Sequence, residues 1–328
     1  MSALKVLFIG GSGLISSACV GVALDAGMEL TLLNRGQTSL REVPVDAKQV
    51  VGDVRDPETL GRVVGSGDFD VVVDFIAFTT DQVSLDIEVA SGKVGQYVFI
   101  SSASAYGKPV RQLPITESTP LRNPYWEYSR NKIACEDLLV SHFRDHAFPA
   151  TIVRPSHTYD RTSIPLDGGW TVIDRMRRGK PVVVPGDGTS LWVLTHHRDF
   201  ARAFVPLLGD QRTIGDSFHI TSDEVLTWNQ IYSELGHAAG VEPQLVHVAS
   251  EAIARAIPTI APGLLGDKSH SVIFDNEKVR RIAAGWHAVI PFAAGAREMI
   301  EWRDGDPSRR AVDEVLDHAF EVLVAEHG

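Results

Sequence analysis

Short apolar runs that alternate with helix-like stretches limit the fold of this chain more than any other feature. A helix is predicted over 14–26. Buried strands are predicted over 5–10, 30–34, 49–53, 71–77, 96–102 and 150–155. Strands that are apolar along their whole length are typical of parallel sheets with helices on both faces. The first half of the chain therefore predicts an α/β fold with a doubly wound parallel sheet.

A glycine-rich loop follows the first strand and opens the first helix. Gly10 and Gly13 match the first two glycines of a dinucleotide fingerprint, and Ser16 stands in place of the third. Such glycines let the backbone approach a pyrophosphate at the helix N-terminus. The strand–loop–helix context predicts a Rossmann-type cofactor site. Its loop contacts are predicted to be Gly10, Ser12, Gly13, Leu14 and Ile15.

The residues after the second and third strands bear on which dinucleotide is bound. Asn34 and Arg35 stand where an acidic residue would bind the ribose hydroxyls of NAD. Asn34 does not repel a 2′-phosphate, and Arg35 can pair with one. Asp53 is placed to accept a hydrogen bond from the adenine amino group, with Val54 as a further contact. We expect NADP or NAD, with a preference for NADP.

The alternation of strands and helices stops after about residue 160. Prolines and glycines cluster over 179–188. Later stretches are mainly helical, at 227–237, 250–256, 276–283 and 294–302. We predict a dinucleotide-binding domain over 1–160 with a return segment at about 190–225. A smaller, mainly helical substrate domain is predicted over about 161–189 and 226–328, with the site in the cleft between them.

Charge and composition narrow the range of partners. The formal net charge of −11 argues weakly against nucleic acids and anionic membranes, which favour a basic surface. No apolar run approaches the roughly 18 residues of a membrane span. Cys19 and Cys135 match neither metal-ligand spacing nor a disulfide framework. We expect a cytoplasmic protein without a nucleic-acid or membrane partner.

Tyr128 and Lys132 stand at i and i+4 in a predicted helix over 128–144, and so on one face of it. That spacing alone is common by chance. Tyr125, three residues earlier, has Ser129 instead of a lysine four residues on. Other motifs in the chain are needed to decide whether Tyr128 and Lys132 act in catalysis.

Several motifs together resemble those of the extended short-chain dehydrogenases/reductases, the NAD-dependent epimerase/dehydratase family. In order they are the glycine loop, GDVRD, ISSASAYG, YSRNK, VRPSHTY, GDGTSLWVLTHHRDFARA and LTWNQI. The resemblance covers nearly the full length. It implies an NAD(P)-dependent epimerase or dehydrogenase/reductase with Ser102, Tyr128 and Lys132 as the catalytic set. Lys132 and Pro155 are expected to contact the cofactor as well.

The implied set makes chemical sense. Removing a hydride from a carbinol carbon requires that the hydroxyl proton leave as well. A free tyrosine, with a pKa near ~10, is a poor base at neutral pH. A nearby ammonium lowers that pKa, and Ser102 can hydrogen-bond the reacting oxygen. Tyr128 is therefore predicted to be the base.

Four positions separate the subclasses of this family. Dehydratases carry an Asp-Glu pair after the catalytic Ser or Thr, whereas this chain has Ala103 and Ser104. That run resembles 4-epimerases and also suits a simple reductase. His157 stands where nucleotide-sugar enzymes have Asn, and Trp192 where they have a diphosphate-clamping Arg. Ser104, His157 and Trp192 are the predicted substrate contacts.

These departures leave three interpretations of the function open. The first is a carbohydrate oxidoreductase or epimerase acting on a smaller sugar without a nucleotide. The second is a nucleotide-sugar 4-epimerase, and the third is a non-catalytic, RNA-binding or regulatory member. No metal is expected, since His196 and His197 lack an evident third ligand and suit helix-start packing. A homodimer is predicted through the helix that carries Tyr128 and Lys132.

Overall fold

A parallel sheet forms the centre of the protein. The computed structural model describes residues 3–37 and 40–328. Its strands, numbered in chain order, are β1 (Lys5–Ile9), β2 (Glu29–Asn34), β3 (Lys48–Val51), β4 (Val71–Asp74), β5 (Gln96–Ile100), β6 (Ala150–Pro155), β7 (His157–Tyr159), β8 (Val182–Pro185), β9 (Leu191–Trp192), β10 (Leu194–His196), β11 (Ser217–Ile220), β12 (Leu226–Thr227) and β13 (Leu245–Val248). Seven form one sheet in the order β11-β6-β5-β4-β1-β2-β3. All neighbours in it are parallel, which confirms the predicted doubly wound α/β class.

Helices cover both faces of this sheet and build most of the C-terminal part. In chain order they are α1 (Leu14–Asp25), α2 (Pro57–Gly67), α3 (Thr80–Ala90), α4 (Glu127–His146), α5 (Trp170–Arg177), α6 (His197–Phe204), α7 (Trp228–Ala238), α8 (Ser250–Ala256), α9 (Ala261–Gly263), α10 (Glu277–Arg280), α11 (Phe292–Asp304) and α12 (Glu314–His327). A π-helical turn, Leu264–Lys268, follows α9. Within the described ranges, no helix is long and apolar enough to span a bilayer.

Alternate side chains of β1 enter two separate hydrophobic cores. Val6 and Phe8 join a core with residues of α1 and α6, on one face of the sheet. Leu7 and Ile9 join another with residues of α2, α3 and α4, on the opposite face. All four side chains are fully buried. A strand buried on both faces has no polar face, which explains the unbroken apolar runs in the sequence.

The order of the strands reverses at β1. The chain runs outward from β1 to β2 and β3, then returns to place β4 on the other side of β1. Loops that leave β1 and β4 therefore diverge at the carboxyl edge of the sheet. Such a switch point opens a crevice where open α/β sheets bind ligands.

A buried ion pair fixes α4 against the sheet. Nη2 of Arg154 in β6 lies 2.5 Å from Oε2 of Glu136 in α4, and both side chains are almost fully buried. The Ser101 hydroxyl donates a hydrogen bond of 2.5 Å to the other oxygen of Glu136. Removing either charge would leave its partner buried and unpaired, which is strongly destabilising. The pair therefore holds α4, and the residues it carries, in a set position.

The C-terminal part has a hydrophobic core of its own, which includes Trp192, Trp228, Phe292 and Phe320. The predicted helices at 227–237, 250–256, 276–283 and 294–302 correspond to α7, α8, α10 and α11. Of these, α10 is shorter than predicted. The sequence patterns did not predict β11, an edge strand of the sheet, or α12. The proposed domain boundaries stay a prediction.

Gly295 in α11 marks a close approach between the C-terminal core and β7. A Cβ atom at this position would lie 2.4 Å from Cε2 of Tyr159. Gly61 in α2 is different, because a Cβ atom there would meet nothing within 4 Å. The two helical glycines therefore make a matched pair for testing the packing.

We expect Gly295→Ala to lower the free energy of unfolding by about 1–3 kcal/mol, because the added methyl group overpacks the Tyr159 contact. Gly61→Ala should raise it by up to about 1 kcal/mol, because alanine favours the helix more than glycine does. Urea titration of both variants measures the two effects. Shifts of the same sign and size would contradict the close packing of α11 on β7.

Candidate active site

The glycine loop packs directly against the end of the sheet. Gly10 has a φ of +86°, and a Cβ atom there would lie 2.6 Å from Cγ2 of Ile76. Both the backbone angle and the contact exclude a side chain at this position. The loop leads into α1, whose first N–H groups have no partners within the helix and favour an anion. The other predicted loop contacts follow there: Ser12, Gly13, Leu14 and Ile15.

Ser16 closes the same loop with its hydroxyl group. Its Oγ donates to the carbonyl of Gly10 at 2.6 Å and accepts from the N–H of Gly13 at 2.8 Å. The side chain is 1% exposed. The small residue expected in place of the third glycine thus also ties the two ends of the loop together.

The remaining predicted cofactor contacts lie at the carboxyl ends of three strands. Asn34 is the last residue of β2, and Arg35 after it is exposed. Asp53 and Val54 follow β3, which pairs with β2, and Pro155 ends β6. The narrow glycine cradle and the helix N-terminus suit a dinucleotide.

Lys132 lies buried beneath Tyr128. Its side chain is 1% exposed, and Nζ donates to the carbonyl groups of Ala77 and Ile100 at 2.7 Å each. Nζ also lies 5.9 Å from the centre of the Tyr128 ring. The i and i+4 spacing therefore brings an ammonium group close to a phenol, as the sequence predicted.

The surroundings shift the pKa values of both groups. Burial raises the pKa of Tyr128, a hydrogen bond with Ser102 lowers it, and the charge of Asp267 raises it. Burial lowers the pKa of Lys132 to about 8, against the opposing attraction of Asp74. Lys132 thus stays mostly protonated at neutral pH. Tyr128 needs positive charge beside it before it can act as a base.

A chain of hydroxyl groups runs behind the predicted reaction centre. Ser102 Oγ lies 2.9 Å from Ser104 Oγ, which lies 2.7 Å from Ser129 Oγ. Ser104, a predicted substrate contact, is buried and holds Ser102 in place through this bond. Hydroxyl groups donate and accept at once, so the chain can adjust to either protonation state of Tyr128.

Ser102 and Tyr128 border a cavity of about 220 Å³. The structure also brings Ser104, Pro155, His157 and Trp192 to its wall, from motifs far apart in the sequence. Ala103, which follows Ser102, lines the cavity as well. Its other lining residues were not singled out from the sequence: Trp126, Ser156, Val193, Asp267, Lys268, Val272 and Phe274.

His157 and Trp192 interact with each other. The indole N–H of Trp192 donates to Nδ1 of His157 at 3.2 Å. Because an indole can only donate, Nδ1 must be an acceptor, and the neutral imidazole carries its proton on Nε2. Burial lowers the pKa of His157 to about 3, so it stays neutral. His157 is thus set as a hydrogen-bond donor and not as an acid or base near pH 7.

Trp192, a predicted substrate contact, lines the cavity, but other residues occupy its indole N–H and one face of its ring. The N–H is bonded to His157, and the ring stacks on Trp228 at a centroid distance of 5.3 Å. Trp192 is 3% exposed. Its main contribution is to shape the cavity wall and to fix the tautomer of His157.

A π-helical turn supplies the charged groups of the cavity. Asp267 pairs with the buried Lys108 at 2.8 Å, and Lys268 pairs with Asp167 at 2.9 Å. The carbonyl of Lys268 accepts from the indole of Trp228 at 2.9 Å. π-Helical turns often occur at functional sites. No motif in the sequence predicts this π-helical turn, because its residues have the spacing of an ordinary helical turn.

Three polar side chains near the cavity and the glycine loop have structural partners. Asp160, the residue after β7, is 2% exposed and accepts from Arg41 at 2.6 Å, which ties the segment after β2 to this region. His196 lies 3.2 Å from Glu298, and Nδ1 of His197 lies 3.2 Å from the carbonyl of Leu14. The part of the chain that the structure describes holds no group of three metal-ligating side chains.

The sequence of the chain matches a family model. The model described as "NAD dependent epimerase/dehydratase family" matches residues 6–220. The chain belongs to this family. It is therefore an NAD(P)-dependent enzyme of the short-chain dehydrogenase/reductase superfamily, and the resemblance seen in its motifs is confirmed.

Relatives of the enzyme have different roles. The 2′-dehydrokanamycin reductase of Streptomyces kanamyceticus is 28% identical over 254 residues, which cover 76% of this chain and 70% of that protein. The chloroplast stem-loop binding protein of 41 kDa b of Arabidopsis thaliana is 27% identical over 256 residues, covering 74% of this chain and 65% of that protein. The UDP-glucose 4-epimerase structure from Thermotoga maritima has a TM-score of 0.70 at 19% identity, covering 92% of this chain and 99% of that one.

We expect Tyr128→Phe to reduce turnover at least a hundredfold, because general-base catalysis typically contributes about 10²–10⁴-fold. Cofactor affinity should stay within about twofold, since only the phenolic oxygen is lost. Steady-state kinetics and cofactor titration measure the two effects.

Tyr125→Phe is the matched control. Tyr125 is 49% exposed and does not line the cavity described above. This variant should keep the parent turnover. A Tyr128→Phe enzyme that retained more than about a tenth of parent turnover, a barrier change of only ~1.4 kcal/mol, would rule out Tyr128 as the base.

Proposed function

We propose that the enzyme transfers a hydride between a carbinol carbon of a compact, nucleotide-free carbohydrate and a nicotinamide cofactor, with Tyr128 as the base. The supporting observation is the cavity in which Ser102 and Tyr128 meet His157, with the Lys132 ammonium behind Tyr128. Homologues that act on sugars support the carbohydrate class. The reductase among them supports net redox chemistry on a sugar without a nucleotide.

The residues divide the chemistry between them. Tyr128 removes the hydroxyl proton, and in the reverse direction its phenol returns that proton to the carbonyl oxygen. Ser102 hydrogen-bonds the same oxygen, and Lys132 stabilises the phenolate. A bound nicotinamide supplies the hydride acceptor or donor. The Nε2–H of His157 is available to orient a second oxygen of the substrate.

Elimination of water receives no support from this site. Ala103 and Ser104 follow Ser102, and neither side chain can act as the acid or base that a dehydratase needs. Ser104 is moreover occupied by Ser102 and Ser129. Reversible oxidation of an alcohol, with or without epimerisation, requires no further acid.

Among the described residues that line the cavity, Lys268 is the one lysine or arginine, which gives little support to a nucleotide diphosphate. Two arginines after Trp192 are the natural substitutes for a missing clamp. Arg198 is bonded to Glu298, and Arg202 pairs with Asp199. Lys268 lines the cavity but is paired with Asp167. Burying two phosphate charges without a free cationic partner is costly, which favours a substrate without them.

A nucleotide-sugar 4-epimerase is the second candidate. The run from Ser102 to Gly107 resembles the 4-epimerase pattern. A non-catalytic role in RNA binding has less support. The similarity to the stem-loop binding protein suggests such a role. However, this chain keeps Ser102, Tyr128 and Lys132 together, and its net charge of −11 does not favour binding to a polyanion.

We expect UDP, GDP and dTDP to bind the cofactor-loaded enzyme more weakly than about 1 mM, a binding free energy near −4.1 kcal/mol. Calorimetric titration measures this directly. In parallel, reduction of free keto-sugars should consume NADPH in the parent enzyme and not in Tyr128→Phe. Micromolar binding of any of the three nucleotides would favour the 4-epimerase instead.

The proposed preference for NADP rests on Arg35. We expect Arg35→Ala to weaken NADP binding by roughly 1.5–3 kcal/mol, about tenfold or more, because a charge-assisted phosphate contact is lost. NAD binding should change much less, since NAD has no 2′-phosphate. Fluorescence titration with both nucleotides measures the difference, and equal weakening of the two would count against NADP.

The proposed homodimer through α4 is tested by light scattering of the purified protein.

A further inference from the structure

Two buried carboxyl groups lie behind Lys132, and the chemistry above uses neither. Asp74 ends β4 and is 2% exposed, and Asp86 lies in α3 and is 4% exposed. The two side chains hydrogen-bond each other. Carboxyl groups are almost never fully buried unless they are paired, so this arrangement requires a stabilising charge.

Asp74 is joined to Lys132 through one peptide group. Its Oδ1 accepts from the N–H of Ile76 at 2.5 Å and of Ala77 at 2.8 Å. The carbonyl of the same Ala77 accepts from Nζ of Lys132 at 2.7 Å. Two N–H donors and a nearby ammonium group all favour the ionised carboxylate. Asp74 is therefore the anion of the pair.

Asp86 has different surroundings. Its Oδ2 accepts from the phenol of Tyr97 at 2.6 Å, and Tyr97 is fully buried. Two carboxyl groups can hydrogen-bond each other only when one of them carries a proton. Burial and the charge of Asp74 raise the pKa of Asp86 well above its usual range. Asp86 therefore keeps its proton and donates a hydrogen bond to Asp74.

The other ionisable groups that affect Lys132 are neutral or already paired. Glu136, one turn along α4, forms the buried ion pair with Arg154. Burial raises the pKa of the Cys135 thiol to about 11, so it carries no charge near pH 7. Asp74 is the anion whose attraction most opposes the burial of the Lys132 ammonium.

The remaining surroundings of Lys132 are largely apolar. Its Nζ lies 4.5 Å from the ring centre of Phe78 and 4.7 Å from that of Phe99. Asp74 and Asp86 border a second cavity, of about 320 Å³, that Arg55 and Asp81 also line. Without a counter-ion, an amine in such surroundings would lose its proton.

We propose that Asp74 is a positioning residue, the counter-ion that keeps the Lys132 ammonium charged beside Tyr128, and that Asp86 holds the proton that allows this anion to be buried. This inference rests on the proposed roles of Tyr128 and Lys132. It adds a chain of groups, Tyr97–Asp86–Asp74–Lys132, that acts on Tyr128 from behind and touches no substrate.

The first test compares two variants that differ by one charge. In Asp86→Asn the amide donates to Asp74 as the protonated acid does, and its oxygen still accepts from Tyr97. In the double variant Asp74→Asn/Asp86→Asn the shapes are kept and the anion is gone. The amide at position 86 turns over, so that its oxygen accepts from the amide at position 74 and its N–H donates to the Tyr97 oxygen. The absorbance of the Tyr128 phenolate is followed against pH in protein saturated with oxidised cofactor. Each spectrum is corrected with the same variant carrying Tyr128→Phe.

We expect Tyr128 to titrate at least about one pH unit higher in the double variant than in Asp86→Asn, which is tenfold less phenolate at a given pH. Titration at the same pH in both variants would overturn the role of Asp74. No substrate is needed, so failure to find the carbohydrate would count against the proposed function and leave this test intact.

A second measurement tests whether the carboxyl pair holds a proton, even if the double variant does not fold. The raised pKa of Asp86 means that the folded protein keeps a proton that the unfolded chain releases above about pH 4. The parent should therefore lose stability relative to Asp86→Asn as pH rises. We expect the ratio of their unfolding equilibrium constants to change about tenfold per pH unit between about pH 5 and 7. A ratio that does not depend on pH would show that Asp86 is ionised, and would overturn the proposal.

Discussion

The buried ammonium group of Lys132 is the interaction around which the site is arranged. It is held by the carbonyl groups of Ala77, three residues after β4, and of Ile100, the last residue of β5, and it lies among aromatic rings. A charge in such surroundings persists only when hydrogen bonds and an opposite charge compensate for lost hydration. The ends of β4 and β5 and the placement of α4 together meet that requirement, and they bring the ammonium group close to the Tyr128 phenol.

Local sequence patterns were enough to predict most of the sheet, because its central strands are buried on both faces. The sequence patterns did not predict β11, one of the two edge strands, because this strand is stabilised by contacts with residues that are distant in the chain. Its His219 is fully buried, with Nε2 2.6 Å from the carbonyl of Asp275 and Nδ1 3.0 Å from the Tyr106 hydroxyl. A histidine in the middle of a strand weakens the apolar pattern, and only the folded structure shows what it bonds to. The terminal helix α12 was missed as well, although Asp313 caps it through the N–H of Leu316.

The motif residues of the site were predictable to the extent that chemistry ties a residue type to a spacing. Tyr128 and Lys132 illustrate this, since one helical turn brings them together. Asp74, Asp267 and Lys268 have no such signal, because each acquires its role from a partner distant in the chain. The engagement of Trp192 is likewise a property of the fold: its donor is used by His157, 35 positions earlier. Sequence can identify the reacting groups of such a site, whereas charge compensation becomes visible only in three dimensions.

The carbonyl partners of Lys132 also bear on how the protein assembles. They lie 55 and 32 residues earlier in the chain than the lysine itself. A partly folded chain in which α4 has docked before β4 and β5 are complete would enclose a charge with nothing to balance it. Such a state is strongly disfavoured, so premature docking of α4 is discouraged and the folding of this region becomes more cooperative. The ammonium group that lies beside the Tyr128 phenol thereby also discriminates against misassembled chains.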